Sequence, residues 1–232
     1  MSGGQVKTVE QSATGFVPEL LVLALTPAAL LVCAILDVNA SAALTMLVAV
    51  TSLVLILVGY ERSRPGLRQI MPTATLAAVA AAGRVLFAPV PYVKPVSAIA
   101  ILAGAVLGRR NGFVVGALAA LVSNFFFGQG PWTPWQMYSW GLVGYLSGLL
   151  PLGEGRAVYV WGVVSGLLYG AILNGWYVIG FVRPLTWQGT LAAYAAGIPF
   201  DVLHGVATAG FLMLVWGRWR RALQRVVAKY DM

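Results

Sequence analysis

The segment from residue 124 to residue 137 carries the side chains best suited to binding a ligand. It is too rich in glycine and proline to be one helix, and it combines amides with indoles at Asn124, Gln129, Trp132, Trp135 and Gln136. Aromatic rings supply contact area for a ring-bearing ligand, and amide groups fix its orientation. Lipid headgroups also attract tryptophan, so an aromatic belt is the alternative. A belt does not explain the neighbouring amides, and we therefore favour a ligand site.

Four polar side chains interrupt the apolar runs elsewhere in the chain. Arg84 and Asn174 lie toward the outer ends of two runs, and Asp201 and His204 are spaced i, i+3 on one helix face. A charged group inside a membrane is costly unless it is paired or hydrated, which makes such groups functional candidates. An acid and an imidazole on one face suit an intramembrane hydrolase or a proton-coupled carrier. The structural alternative is a pairing of Asp201 with Arg84 or His204.

The sequence lacks the motifs of the common enzyme classes. Its single cysteine, Cys33, excludes an intrachain disulfide and a multi-cysteine metal site, and it lies in a different helix from the single histidine. There is neither a Gly-x-Ser-x-Gly elbow nor a glycine-rich phosphate loop ending in Lys-Ser or Lys-Thr. We therefore predict a protein that is not an enzyme, holds no permanent cofactor and cannot hydrolyse ATP by itself.

The composition predicts an all-α integral membrane protein. Hydrophobic residues make up 59% of the 232 residues and charged residues only 9%, against about 25% in an ordinary soluble domain. About 20 helical residues cross a hydrocarbon core. Apolar runs predict eight spans, at 16–36, 42–60, 70–88, 95–108, 112–127, 135–150, 157–181 and 190–216. Residues 1–15 lack a basic cluster, so we expect no signal peptide.

Basic residues are distributed unevenly between the two sides of this topology. With the N-terminus inside, the cytoplasmic segments hold Lys7, Arg62, Arg64, Arg68, Arg109, Arg110, Arg156, Arg218, Arg220, Arg221, Arg225 and Lys229. The external loops hold Lys94 and Arg183. Lysine and arginine resist translocation, so we predict that both termini are cytoplasmic. The net charge of +8 thus follows membrane topology, and we expect no nucleic-acid partner.

The basic loop around Pro65 and Gly66 is the clearest boundary in the chain. It divides an N-terminal region with two additional transmembrane helices, 1–67, from a six-span core, 68–218. The basic amphipathic tail, 219–232, follows the core. One interpretation of the tail is an interfacial helix on anionic lipid, and the other is docking to a cytoplasmic partner.

Small residues recur at helical spacing on several spans. Ala74, Ala78 and Ala82 form a stripe at i, i+4, and glycines recur at 112 and 116 and again at 141, 144 and 148. Such rows let helices approach closely, which is a main source of helix association in lipid. The alanine stripe therefore predicts either packing within the chain or a docking face for a partner membrane protein.

The segment just described also carries a family resemblance. The relevant stretches are 83–87, 94–96, 116–118, 140–142 and the run Ser123-Asn124-Phe125-Phe126-Phe127-Gly128-Gln129-Gly130-Pro131-Trp132-Thr133-Pro134-Trp135-Gln136-Met137. Over residues 70 to 216 the chain resembles the substrate-binding S components of energy-coupling-factor (ECF) vitamin transporters. Within that family it is most similar to components assigned to cobalamin-type substrates.

The resemblance implies a six-helix core that binds a vitamin in its outer half, in the plasma membrane of a prokaryote. It also implies a transmembrane T component that docks on the alanine stripe, and two cytoplasmic ATPases that hydrolyse the ATP. The two extra N-terminal helices depart from the usual six. A self-sufficient or ion-coupled carrier is the alternative function, and an intramembrane enzyme using Asp201 and His204 is less favoured.

Together these arguments predict one set of substrate-binding residues on the outer half of the protein. The set is Arg84, Tyr92, Lys94, Asn124, Phe127, Gln129, Trp132, Trp135, Gln136, Trp140, Asn174, Tyr177, Asp201 and His204. In this interpretation the ligand stacks on Trp132 and Trp135, and amides from Asn124, Gln129, Gln136 and Asn174 orient it.

Overall fold

The computed structural model describes residues 16–36, 41–62, 65–153 and 155–230, and these form eight α-helices without a strand. The helices are α1 (Phe16–Leu36), α2 (Ser41–Arg62), α3 (Leu67–Leu86), α4 (Val96–Leu107), α5 (Arg109–Phe127), α6 (Thr133–Ser147), α7 (Ala157–Phe181) and α8 (Trp187–Tyr230). The all-α prediction is therefore confirmed for the described residues. The expectation for residues 1–15 lies outside them.

Four of the described helices are long and apolar enough to cross a membrane: α3, α5, α7 and α8. This agrees with a multi-pass membrane protein. The predicted spans at 95–108 and 135–150 correspond to α4, which has 12 residues, and α6, which has 15. At 1.5 Å per residue they extend only about 18 and 22 Å, against a core of about 30 Å. Instead of crossing alone, α4 lies buried among α3, α5, α6, α7 and α8.

Glycines bring α4, α5 and α6 into backbone contact. A Cβ atom on Gly104 would lie 2.0 Å from the carbonyl oxygen of Gly144, and one on Gly144 would lie 2.1 Å from that of Gly112. A Cβ atom on Gly116 would lie 2.2 Å from the carbonyl oxygen of Trp140. No larger residue fits at these distances, so the predicted close packing of the α5 and α6 glycine rows is confirmed.

Several contacts gather the predicted cytoplasmic segments at one end of the bundle. Glu19 near the start of α1 forms ion pairs with Arg109, at 3.1 Å, and with Arg110. At the same end the Trp216 indole donates to the carbonyl oxygen of Gly153 at 3.2 Å. The loops that follow α3, α5 and α7 lie at the opposite end, which we call the outer end.

The helix α8 differs most from its predicted form. It runs for 44 residues, about 66 Å, through the predicted boundary at residue 218. Its half-buried Trp219 and Leu223 pack against the apolar cluster that contains Leu76 of α3 and Ile99 of α4. The opposite face is exposed and basic, and it forms a surface groove of about 510 Å³ lined by Arg218, Arg221, Gln224, Arg225 and Ala228. The tail is thus a continuation of the last helix that packs on the core.

Candidate functional site

The loop between α5 and α6 is held by its own polar side chains. The helix α5 ends at Gly128, whose φ of 92° favours glycine. Gln129 donates to the carbonyl oxygen of Leu121 at 2.9 Å and accepts from the Thr133 hydroxyl at 2.9 Å. The same hydroxyl oxygen accepts from the Asn124 amide at 3.0 Å. These bonds fix the amide of Asn124, which is fully buried on the last turn of α5.

Arg84 of α3 is the centre of this network. Its Nη1 donates to the Ser123 hydroxyl and to Asn124 Oδ1, both at 2.6 Å, and its Nη2 donates to Gln136 Oε1 at 3.3 Å. Gln136 Oε1 also accepts from Asn124 Nδ2 at 2.9 Å. The side chains come from α3, α5 and α6, so the network joins three helices. Of the predicted site residues, Arg84, Asn124, Gln129 and Gln136 are therefore brought together.

Two aromatic rings bound the Arg84 guanidinium. Its central carbon lies 4.7 Å from the ring centroid of Phe127 and 4.9 Å from that of Trp140. These are cation–π distances. Tyr169 of α7 stacks on the far side of this wall, with its ring centroid 4.6 Å from that of Trp140. The guanidinium is thus enclosed by rings and neutral polar groups, and Arg84 is only 8% exposed.

His204 links the arginine network to α8. Its Nδ1 lies 2.9 Å from the carbonyl oxygen of Tyr92, which can only accept, so Nδ1 carries the proton. A neutral ring then accepts at Nε2 from the Ser97 hydroxyl at 2.9 Å, and that hydroxyl accepts from the Trp140 indole at 3.1 Å. Every donor in this series of hydrogen bonds has an acceptor. His204 therefore acts as a neutral cross-link among the α3–α4 loop, α4, α6 and α8.

The α3–α4 loop is closed over α8 by its own contacts. Tyr92 has a φ of 61°, which is unusual for a residue with a side chain, and its ring stacks on Phe200 at 4.6 Å. Lys94 donates to the carbonyl oxygens of Phe87 and of Val90, the latter at 3.0 Å. Burial lowers the pKa of the Lys94 ammonium, and the Arg84 charge lowers it further. The Lys94 side chain thus points toward the backbone of its own loop and holds that loop together.

Asp201 and Asn174 form a separate polar pair on the α7–α8 side. The Asn174 amide donates to Asp201 Oδ2 at 2.8 Å, and the carboxylate packs against Gly170, where a Cβ atom would lie 2.0 Å from the carboxyl carbon. The structural alternative, a pairing of Asp201 with Arg84 or His204, is therefore not what the structure shows. Sequence spacing placed the acid and the imidazole on one helix face. Because Gly170 of α7 has no side chain, the carboxylate packs against it and accepts from Asn174 instead.

The structure places the two tryptophans on which a ligand was expected to stack in different surroundings. Trp135 is fully buried in an apolar cluster with residues of α1, α2 and α7, including Leu23, Leu53 and Ile172. Trp132 is 38% exposed and its ring lies against Gly130. The buried Trp135 ring thus offers no free face to a ligand in this structure, whereas Trp132 does. Tyr177 lies apart from the network as well, since it is 52% exposed and stacks on Phe181.

Four residues of the site were missed in the sequence. Ser123 and Thr133 complete the arginine network, while Ser97 and Tyr169 complete the wall beside it. Ser123 and Thr133 flank the amide-rich segment, and that proximity was the available signal. Nothing in the sequence marked Ser97, because a lone serine in an apolar run usually bonds its own helix backbone. Among the described residues no group of three histidine, cysteine or acidic side chains could hold a metal ion.

No solved structure matches this chain. A family match covers α3 to α8 and leaves out α1 and α2, so it contains the arginine network, the His204 cross-link and the Asp201–Asn174 pair. From residue 65 to residue 229, the chain belongs to the family of unknown function DUF6580.

Proposed function

We propose that this protein is the substrate-capture subunit of a membrane transporter and binds a vitamin-like small molecule at its outer end. The observation that carries the proposal is the arginine network, in which side chains of three helices converge around a buried guanidinium beside two aromatic rings. Polar groups that converge between apolar and aromatic walls are the usual composition of a small-molecule site.

A network with only a structural role would join the three helices at a large cost in free energy. Burying a charged group within a membrane costs several kcal/mol unless a partner offsets it. The glycine contacts already hold α4, α5 and α6 together without charge. Helix packing therefore does not account for the burial of the Arg84 charge, whereas a ligand that completes the network does.

The alanine stripe supports a separate membrane partner. Ala74, Ala78 and Ala82 are exposed on α3, whereas Ala77 and Ala81 beside them are buried against the chain's own helices. Packing within the chain therefore does not use this stripe. In the proposed assembly a transmembrane T component docks on it, and two cytoplasmic ATPases drive release of the ligand inward. The corrinoid subgroup, with cobalamin as its best-known member, is the first substrate class to test.

An ion-coupled carrier is the second candidate, because Asp201 is a half-buried carboxylate whose hydrogen-bond partner is the neutral Asn174. Such a carboxylate can bind and release a proton during transport. Uptake by vesicles that contain this protein alone, driven by a proton gradient, would favour the carrier over the capture subunit. The hydrolase alternative has less support, since both His204 nitrogens are engaged in the cross-link.

A binding screen tests the proposal. The full chain, purified in nanodiscs, is titrated with cobalamin, cobinamide, riboflavin and other vitamins. We expect at least one saturable ligand, with an affinity that Asn124→Ala lowers about tenfold or more because Arg84 loses the buried amide that positions it. The matched control is Gln224→Ala, an exposed amide on the far end of α8. Equal binding by both variants, or no saturable ligand, would show that the network is not a substrate site.

A further inference from the structure

The hydrogen bonds of Arg84 leave one edge of its guanidinium open. Both Nη1 hydrogens are used, by Ser123 and Asn124, and one Nη2 hydrogen points to Gln136. Because the Asn124 and Gln136 side chains are bonded to each other, their oxygens lie together on the edge that Nη1 and Nη2 share. Nε and the second Nη2 hydrogen have no acceptor among the described residues.

That open edge has a specific chemical complement. In arginine, Nη2 lies on the same side as the Nε hydrogen, so the two free N–H groups are parallel and form a fork. A fork of this kind binds the two oxygens of a carboxylate or a phosphate at once. A single carbonyl or hydroxyl oxygen satisfies only half of it.

The charge of Arg84 points in the same direction. Its three acceptors are neutral, and the ion pairs found in the described part of the chain both belong to Glu19. Asp201, the acidic side chain on the same half of the protein, is bonded to Asn174. A cation that is 8% exposed and lacks a counter-charge is costly in an apolar surrounding.

We propose that the ligand of this site carries an oxyanion, a carboxylate or a phosphate, that binds the open Nε–Nη2 edge of Arg84. The inference rests on the proposed capture function and narrows its substrate class to anionic small molecules with a flat ring. The oxyanion neutralises the guanidinium, and the ring packs against Phe127, which flanks the guanidinium and is 41% exposed.

Matched ligands that differ in the charged group test this directly. The full chain in neutral phosphatidylcholine nanodiscs is titrated at constant ionic strength with benzoate against benzamide, with inorganic phosphate, and with riboflavin 5′-phosphate against riboflavin. Thermal unfolding and indole fluorescence, to which Trp140 contributes, are the readouts. We expect saturable stabilisation by benzoate or a phosphate compound, about tenfold tighter than by its uncharged partner. Benzoate and phosphate compounds together show whether the fork prefers a carboxylate or a phosphate.

Arginine variants assign the anion to the fork. Arg84→Gln is expected to abolish the preference for the charged member, and Arg84→Lys to weaken it, because lysine keeps the charge without the fork. Arg156→Gln, at the exposed start of α7, is the matched control and should keep the preference. If Arg84→Gln fails to fold, the comparison of matched ligands on the unaltered chain still decides the question.

Three outcomes would overturn the inference. The first is equal binding of charged and uncharged partners, and the second is no saturable response to benzoate or phosphate. The third is stabilisation only in a separate nanodisc that contains anionic phosphatidylglycerol. The last would make a lipid headgroup the counter-charge. Uncharged vitamins that bind in an Asn124-dependent way would refute the oxyanion while leaving the capture function standing. Anion binding at Arg84 in a protein that co-purifies with no T component or ATPase subunit would support the oxyanion and refute the capture function.

Discussion

At the scale of single residues, the site is defined by hydrogen-bonding capacity more than by residue type. Asn124 binds Arg84 with its oxygen while its amide group serves Thr133 and Gln136. Gln136, in contrast, uses only its oxygen toward Arg84 and Asn124, and its side chain also has a hydrogen-bond contact with Tyr169 of α7. That difference separates a position where a carboxylate would disrupt the network from one where it would fit.

Gln136→Glu should therefore place a counter-charge beside Arg84 and keep the oxygen that accepts from Arg84 and Asn124. We expect the ligand-free protein to become more stable, because the buried guanidinium gains an ionic partner. Anionic ligands should bind about tenfold more weakly, since their charge is no longer needed. Thermal unfolding with and without benzoate measures both effects in one sample. Unchanged affinity for benzoate would mean that the open edge of Arg84 does not bind it.

His204→Leu tests the assignment of the histidine as a cross-link. The substitution leaves the carbonyl oxygen of Tyr92 without its donor and removes the acceptor of the Ser97 hydroxyl. An unsatisfied buried polar group costs about 1–3 kcal/mol, so we expect unfolding to become easier by roughly 2 kcal/mol or more. Ligand affinity should change less than stability does. A variant with normal stability and no binding would instead make His204 a ligand contact.

At the scale of helices, glycine contacts set the distances that the network needs. Gly112 and Gly144 hold α5 and α6 at backbone contact, and the same two helices supply Asn124 and Gln136. Any increase in the spacing between these helices would separate the two amides. The inner glycine row thus positions the outer polar groups.

Gly144→Ala should destabilise the protein by about 1–3 kcal/mol, because its Cβ atom would lie 2.1 Å from the carbonyl oxygen of Gly112. Gly210→Ala is the matched control on α8, where a Cβ atom would meet no atom within 4 Å. The control should be neutral or stabilising by up to about 1 kcal/mol, since alanine favours helices. Equal effects of the two changes on denaturant unfolding would contradict the packing argument.

Helix positions were predictable from the sequence, whereas helix rotations were not. Apolar runs and the basic residues between them located the ends of the described helices to within about three residues, except that α8 continues past residue 216 to Tyr230. Trp135 and Gln136 show the limit of that information. They are neighbours in the chain, yet 100° of helix rotation turns the indole toward α1 and α2 and the amide toward Arg84. Uniformly apolar helices carry too little amphipathic contrast to fix such a rotation from the sequence alone.

At the scale of the whole molecule, the helices of the core end at different levels. The helices α7 and α8 rise past the outer end of α4, as shown by the contacts of Asn174 and Asp201 beyond the level of His204. At the inner end, α3 and the end of α8 come together, where Arg68 lies over the Tyr230 ring at 5.8 Å. The ligand network and the alanine stripe therefore share α3, with Arg84 near its outer end and Ala74 near its inner end.

The two proposed surfaces thus lie on one helix, and the last prediction tests the docking surface separately from the ligand network. Ala78→Leu enlarges an exposed side chain, so the purified protein should fold and bind ligand normally. It should lower co-purification with co-expressed T component and ATPase subunits about tenfold or more, because a bulky residue blocks close helix approach. Ala196→Leu, an exposed alanine on α8, is the matched control and should leave the complex intact. Ala81→Leu, at a buried position, should disrupt folding itself. If Ala78→Leu behaves like the control, the partner docks elsewhere, and the exposed stripe of α3 faces lipid.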